Sequence, residues 1–184
     1  MNVIGIDPGK EGCIASLSSF HSPLFPEQSE TRLEFESMPL TDEGEWDPWA
    51  MSRKVHLWAT SGVDRIVIEE CHAFPGISAS ANAAVMLAYG MWLAAIAAKF
   101  PREKLTIVGA ATWKKAMDVT VPIVKTGKRA TKKEKQIAYK ARKIKAVTAA
   151  TLRFPNEVFA TPKGRLLDGK AEAALIAVYG LEKI

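Results

Sequence analysis

Apolar residues at Val3, Ile4 and Ile6 form a short run that ends abruptly in Asp7-Pro8-Gly9. A run of this length, stopped by turn residues, predicts a core strand with a carboxylate at its mouth. Gly9 to Gly12 reads as a tight turn and Cys13 to Ser18 as a second strand, so the start of the chain is a hairpin. His21 to Gln28 is punctuated by Pro and Ser as a loop, and Arg32 to Met38 alternates apolar and polar as a third, more exposed strand. Thr41 to Asp47 reads as an acidic, mobile loop. Asp47 as N-cap and Pro48 in the first turn open a helix that stops before Gly62. Arg65 to Glu69 is β-branched and fits the centre of a sheet. Ser78 or Ser80 caps a long apolar helix reaching Phe100. Leu105 to Val108 supplies a further strand, and Ala110 to Met117 a short helix. Thr131 with Glu134 forms a capping box for a helix through Leu152, and Leu166 to Tyr179 closes the chain as a helix. No internal repeat and no second core is legible, so the 184 residues are expected to form one α/β domain.

Composition sharpens this picture at three points. A hydrophobic content of 48% fills a sizeable core, which argues against extensive disorder. The longest apolar run, Ala83 to Ala98, is 16 residues with Gly90 inside it. That is short of the roughly 20 needed to span a bilayer, so a buried helix and no membrane association are expected. Cys13 and Cys71 are the two cysteines, no Asn-x-Ser/Thr sequon occurs and no secretory n-region precedes them. Two unpaired thiols in a reducing, cytoplasmic compartment are the expectation.

Charge is the third point. The net value is +5, but Lys125 to Lys145 holds ten Lys and Arg against Glu134, a local balance of +9 that leaves −4 for the rest. A charge run is ordinarily a solvated helix face, yet this density favours a polyanion partner, and a phosphate backbone is the commonest one.

The acids carry the candidate chemistry. Asp7 follows four core residues, Glu69 and Glu70 end the Val67-Ile68 strand, and Asp168 and Glu172 are spaced i, i+4 on one helix face. Small neighbours at Ala171, Ala173, Ala174 and Ala177 let that helix lie close to a sheet. Clustered carboxylates are costly unless a cation sits among them. His21, His56 and His72 lack ligand spacing, so Mg²⁺ is favoured over zinc.

Gly5-Ile6-Asp7-Pro8-Gly9, Val67-Ile68-Glu69, the Ser80-to-Gly90 helix start and Asp168-Gly-Lys-Ala-Glu172-Ala-Ala-Leu-Ile-Ala resemble the RuvC-type Holliday-junction resolvases of the RNase H-like superfamily. The resemblance runs through nearly the whole chain. It implies a mixed five-stranded sheet flanked by helices on both faces, a homodimer, and Mg²⁺-dependent resolution of four-way DNA junctions by paired nicks. Carried over, Asp7, Glu69, Asp168 and Glu172 are the metal ligands and catalytic acids, holding two Mg²⁺ per site, with Mn²⁺ as a substitute. The two-ion scheme expects them roughly 4 Å apart. Lys114, in Thr112-Trp113-Lys114-Lys115, falls where the family has a basic residue near the scissile phosphate, with a plain surface lysine as its alternative. Strand alternation sends Glu70 to the opposite face from Glu69.

Phe74 offers a π face to a junction base or anchors its turn. Lys128, Arg129, Lys132, Lys133 and Lys135 are expected to grip the DNA backbone. Two departures stand out. The helical pair is Asp-x-x-x-Glu where cellular members have Asp-x-x-Asp, closer to phage-type members, and 21–45 is longer than the cellular pattern. A flap or fork nuclease and a noncatalytic junction-binding module of the same fold remain alternatives. An actin-like ATPase or sugar kinase, whose phosphate loop also begins Gly-x-Asp-x-Gly, needs a second lobe for which this chain is too short.

Overall fold

The structure, a computed structural model, describes residues 1–21, 29–73, 78–121 and 131–184, without the side chains of 20, 21, 29, 30, 132, 133 and 135. Five strands form one sheet: β1 (Asn2–Asp7), β2 (Cys13–His21), β3 (Ser29–Ser37), β4 (Arg65–Glu69) and β5 (Leu105–Val108), in the order β3-β2-β1-β4-β5. β1, β2 and β3 pair antiparallel, whereas β4 lies parallel to β1 and β5 parallel to β4. Among the described residues the α-helices are α1 (Pro48–Thr60), α2 (Ala79–Ala97), α3 (Ala110–Ala116), α4 (Lys132–Arg153) and α5 (Asp168–Glu182). This is the mixed, five-stranded α/β sheet with helices on both faces that the resemblance implies.

Alternation along the strands divides the core in two. Ile4, Ile6, Ile66 and Ile68 face α1 and α2 with Met51, Trp58 and Trp92. Val3 and Val67 face the other way, into a cluster with Trp113 of α3, Ala146 and Ala150 of α4 and most of α5. α5 is buried nearly all round. Gly5 explains how it fits: a Cβ there would lie 2.4 Å from the Ala173 carbonyl oxygen and 2.5 Å from the Ala177 nitrogen. Backbone therefore rests on backbone where α5 crosses β1.

The helix starts follow the sequence signals. Asp47 accepts a hydrogen bond from the Ala50 N–H at 2.9 Å, and Ser78 caps α2 through the Ala81 N–H at 3.2 Å. Thr131 and Glu134 close their capping box, Thr131 N–H donating to Glu134 Oε2 at 2.7 Å and Glu134 N–H to Thr131 Oγ1 at 3.2 Å. The two cysteines are free.

Two expectations need correction. α2 is not a buried helix along its length: Ala88, Tyr89, Trp92 and Ile96 are buried, but Val85, Met86 and Leu87 are exposed, Leu87 at 60%. By length and composition Ala79–Ala97 is apolar enough to cross a membrane, and 22% of that window is buried. Its apolar residues run all round the helix, and one sheet face covers only one side. Secondly, Thr41–Asp47 is no formless loop. Leu40 bridges Trp46, Thr41 N–H donates to the Glu45 oxygen at 2.7 Å, and Gly44 N–H to the Thr41 oxygen at 2.9 Å.

The same type of hairpin occurs again before α5. Ala160 bridges Leu166, Thr161 N–H donates to the Arg165 oxygen at 2.8 Å and Gly164 N–H to the Thr161 oxygen at 2.8 Å. Gly44 and Gly164 hold φ of 76° and 78°, in the left-handed region that favours glycine. Only Thr and Gly recur between the two sequences, which is why no repeat was legible.

Candidate active site

Asp7 and Glu69 come to the same end of the sheet because β1 and β4 are parallel neighbours, with Ile6 opposite Ile68. Both follow residues of the α1–α2 face by one position, so alternation turns both towards α5. Asp168 opens α5 and Glu172 lies one turn on, so the helix brings its pair down to the strand ends. Glu70 takes the opposite face, where His72 Nε2 lies 3.3 Å from its Oε2. It also helps burial push the Tyr89 hydroxyl up to about 12.

Two of the acids, Asp7 and Glu172, are displaced from their ordinary range. Asp7 is crowded by protein, and burial, then Glu172 and Glu69, push its carboxyl up to about 7. Burial likewise raises Glu172, opposed by Lys114 and assisted by Glu69. Carboxyls raised first by burial and then by like charge are found more often at functional sites than on solvated surfaces.

Two lysines hold the cluster. Lys114 Nζ lies 3.1 Å from Glu172 Oε1 and 3.9 Å from Glu69 Oε2, so its position in α3 places it inside the site and not on the helix surface. Lys143 of α4 lies 2.6 Å from Asp168 Oδ2 and 4.7 Å from the Tyr139 ring centre. Although burial works against its charge, the Asp168 hydrogen bond holds the Lys143 ammonium above its ordinary range. Trp113, fully buried, donates its indole N–H to Glu69 Oε2 at 2.6 Å. A hollow of about 250 Å³ opens between these groups, lined by Asp7, Lys114, Tyr139, Arg142, Lys143, Asp168 and Glu172. A larger one of about 370 Å³ beside Leu17 and Phe154 has its acids already taken, Glu157 by Lys170 and Glu182 by Arg153.

Trp113, Lys143, Tyr139 and Arg142 were not singled out from sequence. Tyr139 and Lys143 are spaced i, i+4, a signal that was present but submerged in the basic run. Of the residues expected to grip DNA, Phe74, Lys128 and Arg129 lie outside the described residues. Lys132, Lys133 and Lys135 begin α4, but their side chains lie outside the description.

All-oxygen donors suit a hard divalent cation such as Mg²⁺. Among the described residues no three acid, His or Cys side chains are already gathered closely enough to hold a metal ion. The donor set nonetheless fits the group by its chemistry.

No protein-family model and no curated protein sequence matches the chain. Among solved structures it is similar to RuvC of Thermus thermophilus, at 18% identity and a TM-score of 0.52, over 98% of this chain and 96% of that one. It is similar also to T. thermophilus RuvC in complex with Holliday junction substrate, at 18% identity and a TM-score of 0.54, over 98% and 94%. The chain therefore has the RuvC-like fold from end to end.

Proposed function

We propose that this protein is a divalent-metal-dependent, structure-selective DNA endonuclease that resolves four-way junctions by paired nicks. The observation that carries this reading is the convergence of Asp7, Glu69, Asp168 and Glu172 from three elements at the ends of β1 and β4, with Asp7, Asp168 and Glu172 lining one hollow and Lys114 set between Glu172 and Glu69. The neighbour seen with a Holliday junction substrate supports the same substrate class. A carboxyl pushed up to about 7 by burial and then by Glu172 and Glu69 favours this reading over a noncatalytic binding module.

Asp7, Glu69, Asp168 and Glu172 would hold two Mg²⁺, for which Mn²⁺ substitutes; when bound, such ions activate water and stabilise charge on the leaving oxygen. The chain's own side chains do the remainder. Trp113 fixes Glu69 by its N–H, and the Asp168 and Glu172 carboxylates are aimed by the rigid seat of α5 on β1. Lys114 Nζ can turn from Glu172 to a phosphate oxygen and offset the charge that develops there. The basic face of α4, including Arg142 and Lys143 at the hollow, continues as the surface that positions the DNA backbone.

In this reading the 184 residues act as one nuclease domain, and the Asp-x-x-x-Glu spacing favours a phage-type member. Paired nicks need two sites, so the working unit is a homodimer. Exposed Val85, Met86 and Leu87 on α2 provide an apolar surface for it. Free cysteines accord with the bacterial or phage-infected host cytoplasm.

The test is a panel of end-labelled four-way junctions, flaps, forks and linear duplexes with Mg²⁺. Symmetric nicks in the junction, dependent on Mg²⁺ and absent with chelator, are expected. Preferential single nicks in flaps or forks would replace this reading with that of a flap nuclease.

A further inference from the structure

The turn that follows Asp7 is gripped from two sides by hairpins of the same backbone and opposite charge. Lys10 Nζ donates to the Gly44 oxygen at 2.8 Å and pairs with Glu45 at 3.5 Å, while Glu11 pairs with Arg165 Nη2 at 3.8 Å. The hairpin before α1 carries Asp42, Glu43 and Glu45 on its exposed tip. Its counterpart before α5 carries Lys163 and Arg165, both exposed, and no acid. Neither tip contributes to the core, so packing does not account for their charges.

A second observation gives the pattern direction. The site hollow meets a further one of about 260 Å³ at Glu11, Gly12, Asp168 and Gly169, and Arg165 and Lys170 line the latter. Basic side chains that begin at Arg142 and Lys143 thus resume beyond Asp168 at Arg165 and Lys170, with Glu11 and the Lys54-paired Glu36 also on that lining, whereas the exposed tip on the opposite margin of the Asp7 turn carries Asp42, Glu43 and Glu45. A polyanion crossing the site meets attraction along one course and repulsion on the other.

We infer that the 162–165 hairpin is a contact for the phosphate backbone of a DNA arm and that the 42–45 hairpin repels it, so the arm runs from α4 across Asp168 and over Lys163 and Arg165. The inference rests on the junction-nuclease reading and adds to it a direction for the DNA. The partner is a duplex arm read through phosphates, without base recognition.

The experiment is fluorescence anisotropy of a labelled four-way junction and of a linear duplex of equal length, from 50 to 300 mM NaCl without divalent ions. The proteins are full-length wild type, Lys163→Gln, Lys163→Gln/Arg165→Gln and Asp42→Asn/Glu43→Gln. Each lost phosphate contact removes about 0.9 from the slope of log K against log salt. The single variant is therefore expected to flatten the slope by about 0.9, and the double by about 1.8 with about tenfold weaker binding at low salt. The acid-neutralised variant is expected to bind more tightly, by a fewfold. Thermal midpoints equal to wild type establish that all are folded; a variant with a lowered midpoint is replaced by Lys163→Met, which keeps the stem and removes the charge.

Unchanged slope and affinity in the basic variants, or weaker binding by the acid-neutralised one, overturns the inference while wild type still prefers the junction. Equal wild-type binding to junction and duplex overturns the junction reading instead, and the slopes then still decide the hairpins. No wild-type binding to either DNA ends both.

Discussion

Trp113→Phe is the substitution that isolates one hydrogen bond of the site. It keeps an aromatic ring in a fully buried slot and deletes the N–H that lies 2.6 Å from Glu69 Oε2. A hydrogen bond to a charged group contributes about 1.5–3 kcal/mol net. The Glu69 side chain is 19% exposed, so water recovers part of the loss and the lower end applies. Lys114, at 3.9 Å, is too far to replace the indole as a hydrogen-bond donor. Freed on that side, Glu69 samples other rotamers, and the loss of such an outer partner typically lowers metal affinity by about 10- to 100-fold. The assay is a Mn²⁺ titration followed by electron paramagnetic resonance, beside thermal denaturation with and without Mn²⁺. The gap left by the smaller ring lowers the midpoint in both conditions alike; weaker metal binding shows as a smaller Mn²⁺-induced rise. Lys114→Met should move metal affinity the other way, because its ammonium competes for Glu69 and Glu172, while cleavage falls. Wild-type Mn²⁺ affinity in folded Trp113→Phe would refute the positioning role of the indole.

Asp7→Asn should abolish Mg²⁺-dependent cleavage and leave junction binding within about twofold, measured by nicking and by anisotropy; turnover near wild type would remove Asp7 from the chemistry. The metal-free wild type should lose stability with rising pH between 3.8 and about 7, because the folded Asp7 carboxyl holds its proton across that window and the unfolded one does not. Urea midpoints at intervals from pH 4 to 8 measure this, and Asp7→Asn should show a shallower decline. Glu70→Gln, on the far face, should cleave within about twofold of wild type, and a hundredfold loss would put Glu70 in the site. Leu87→Glu should convert a dimer to a monomer in light scattering with an unchanged thermal midpoint, and a persistent dimer would move the interface off α2.

How much of this was legible depended on which physical rule governed each residue. Strand alternation and the i, i+4 spacing are local, so the facing of Asp7, Glu69, Glu70, Asp168 and Glu172 followed from the chain alone, as did the caps at Asp47 and Thr131, while the choice of Ser78 over Ser80 waited for the fold. What sequence withheld is non-local. Trp113 looked like context for Lys114, because its partner Glu69 is 44 residues away and joined only by the fold. Lys143 was one cation among ten until α4 packed against α5 and set it on Asp168. The exposed half of α2 was hidden for a related reason: an apolar run states that burial is favourable and does not state whether this chain supplies the cover. The twin hairpins share a backbone with almost no shared sequence, since a type of turn constrains one Gly and one Thr and leaves the rest free.

The contact at Gly5 leaves the site little tolerance. Side-chain packing between a helix and a strand usually sets their spacing, and neighbouring substitutions then shift it by tenths of an ångström. Here the spacing is set where no side chain intervenes, with Ala173 and Ala177 backbone atoms directly over Gly5. At that crossing no side chain is available to adjust the distance from Asp7 to the α5 acids, so Gly5 admits no replacement: even Ala would drive α5 from its seat and widen the site.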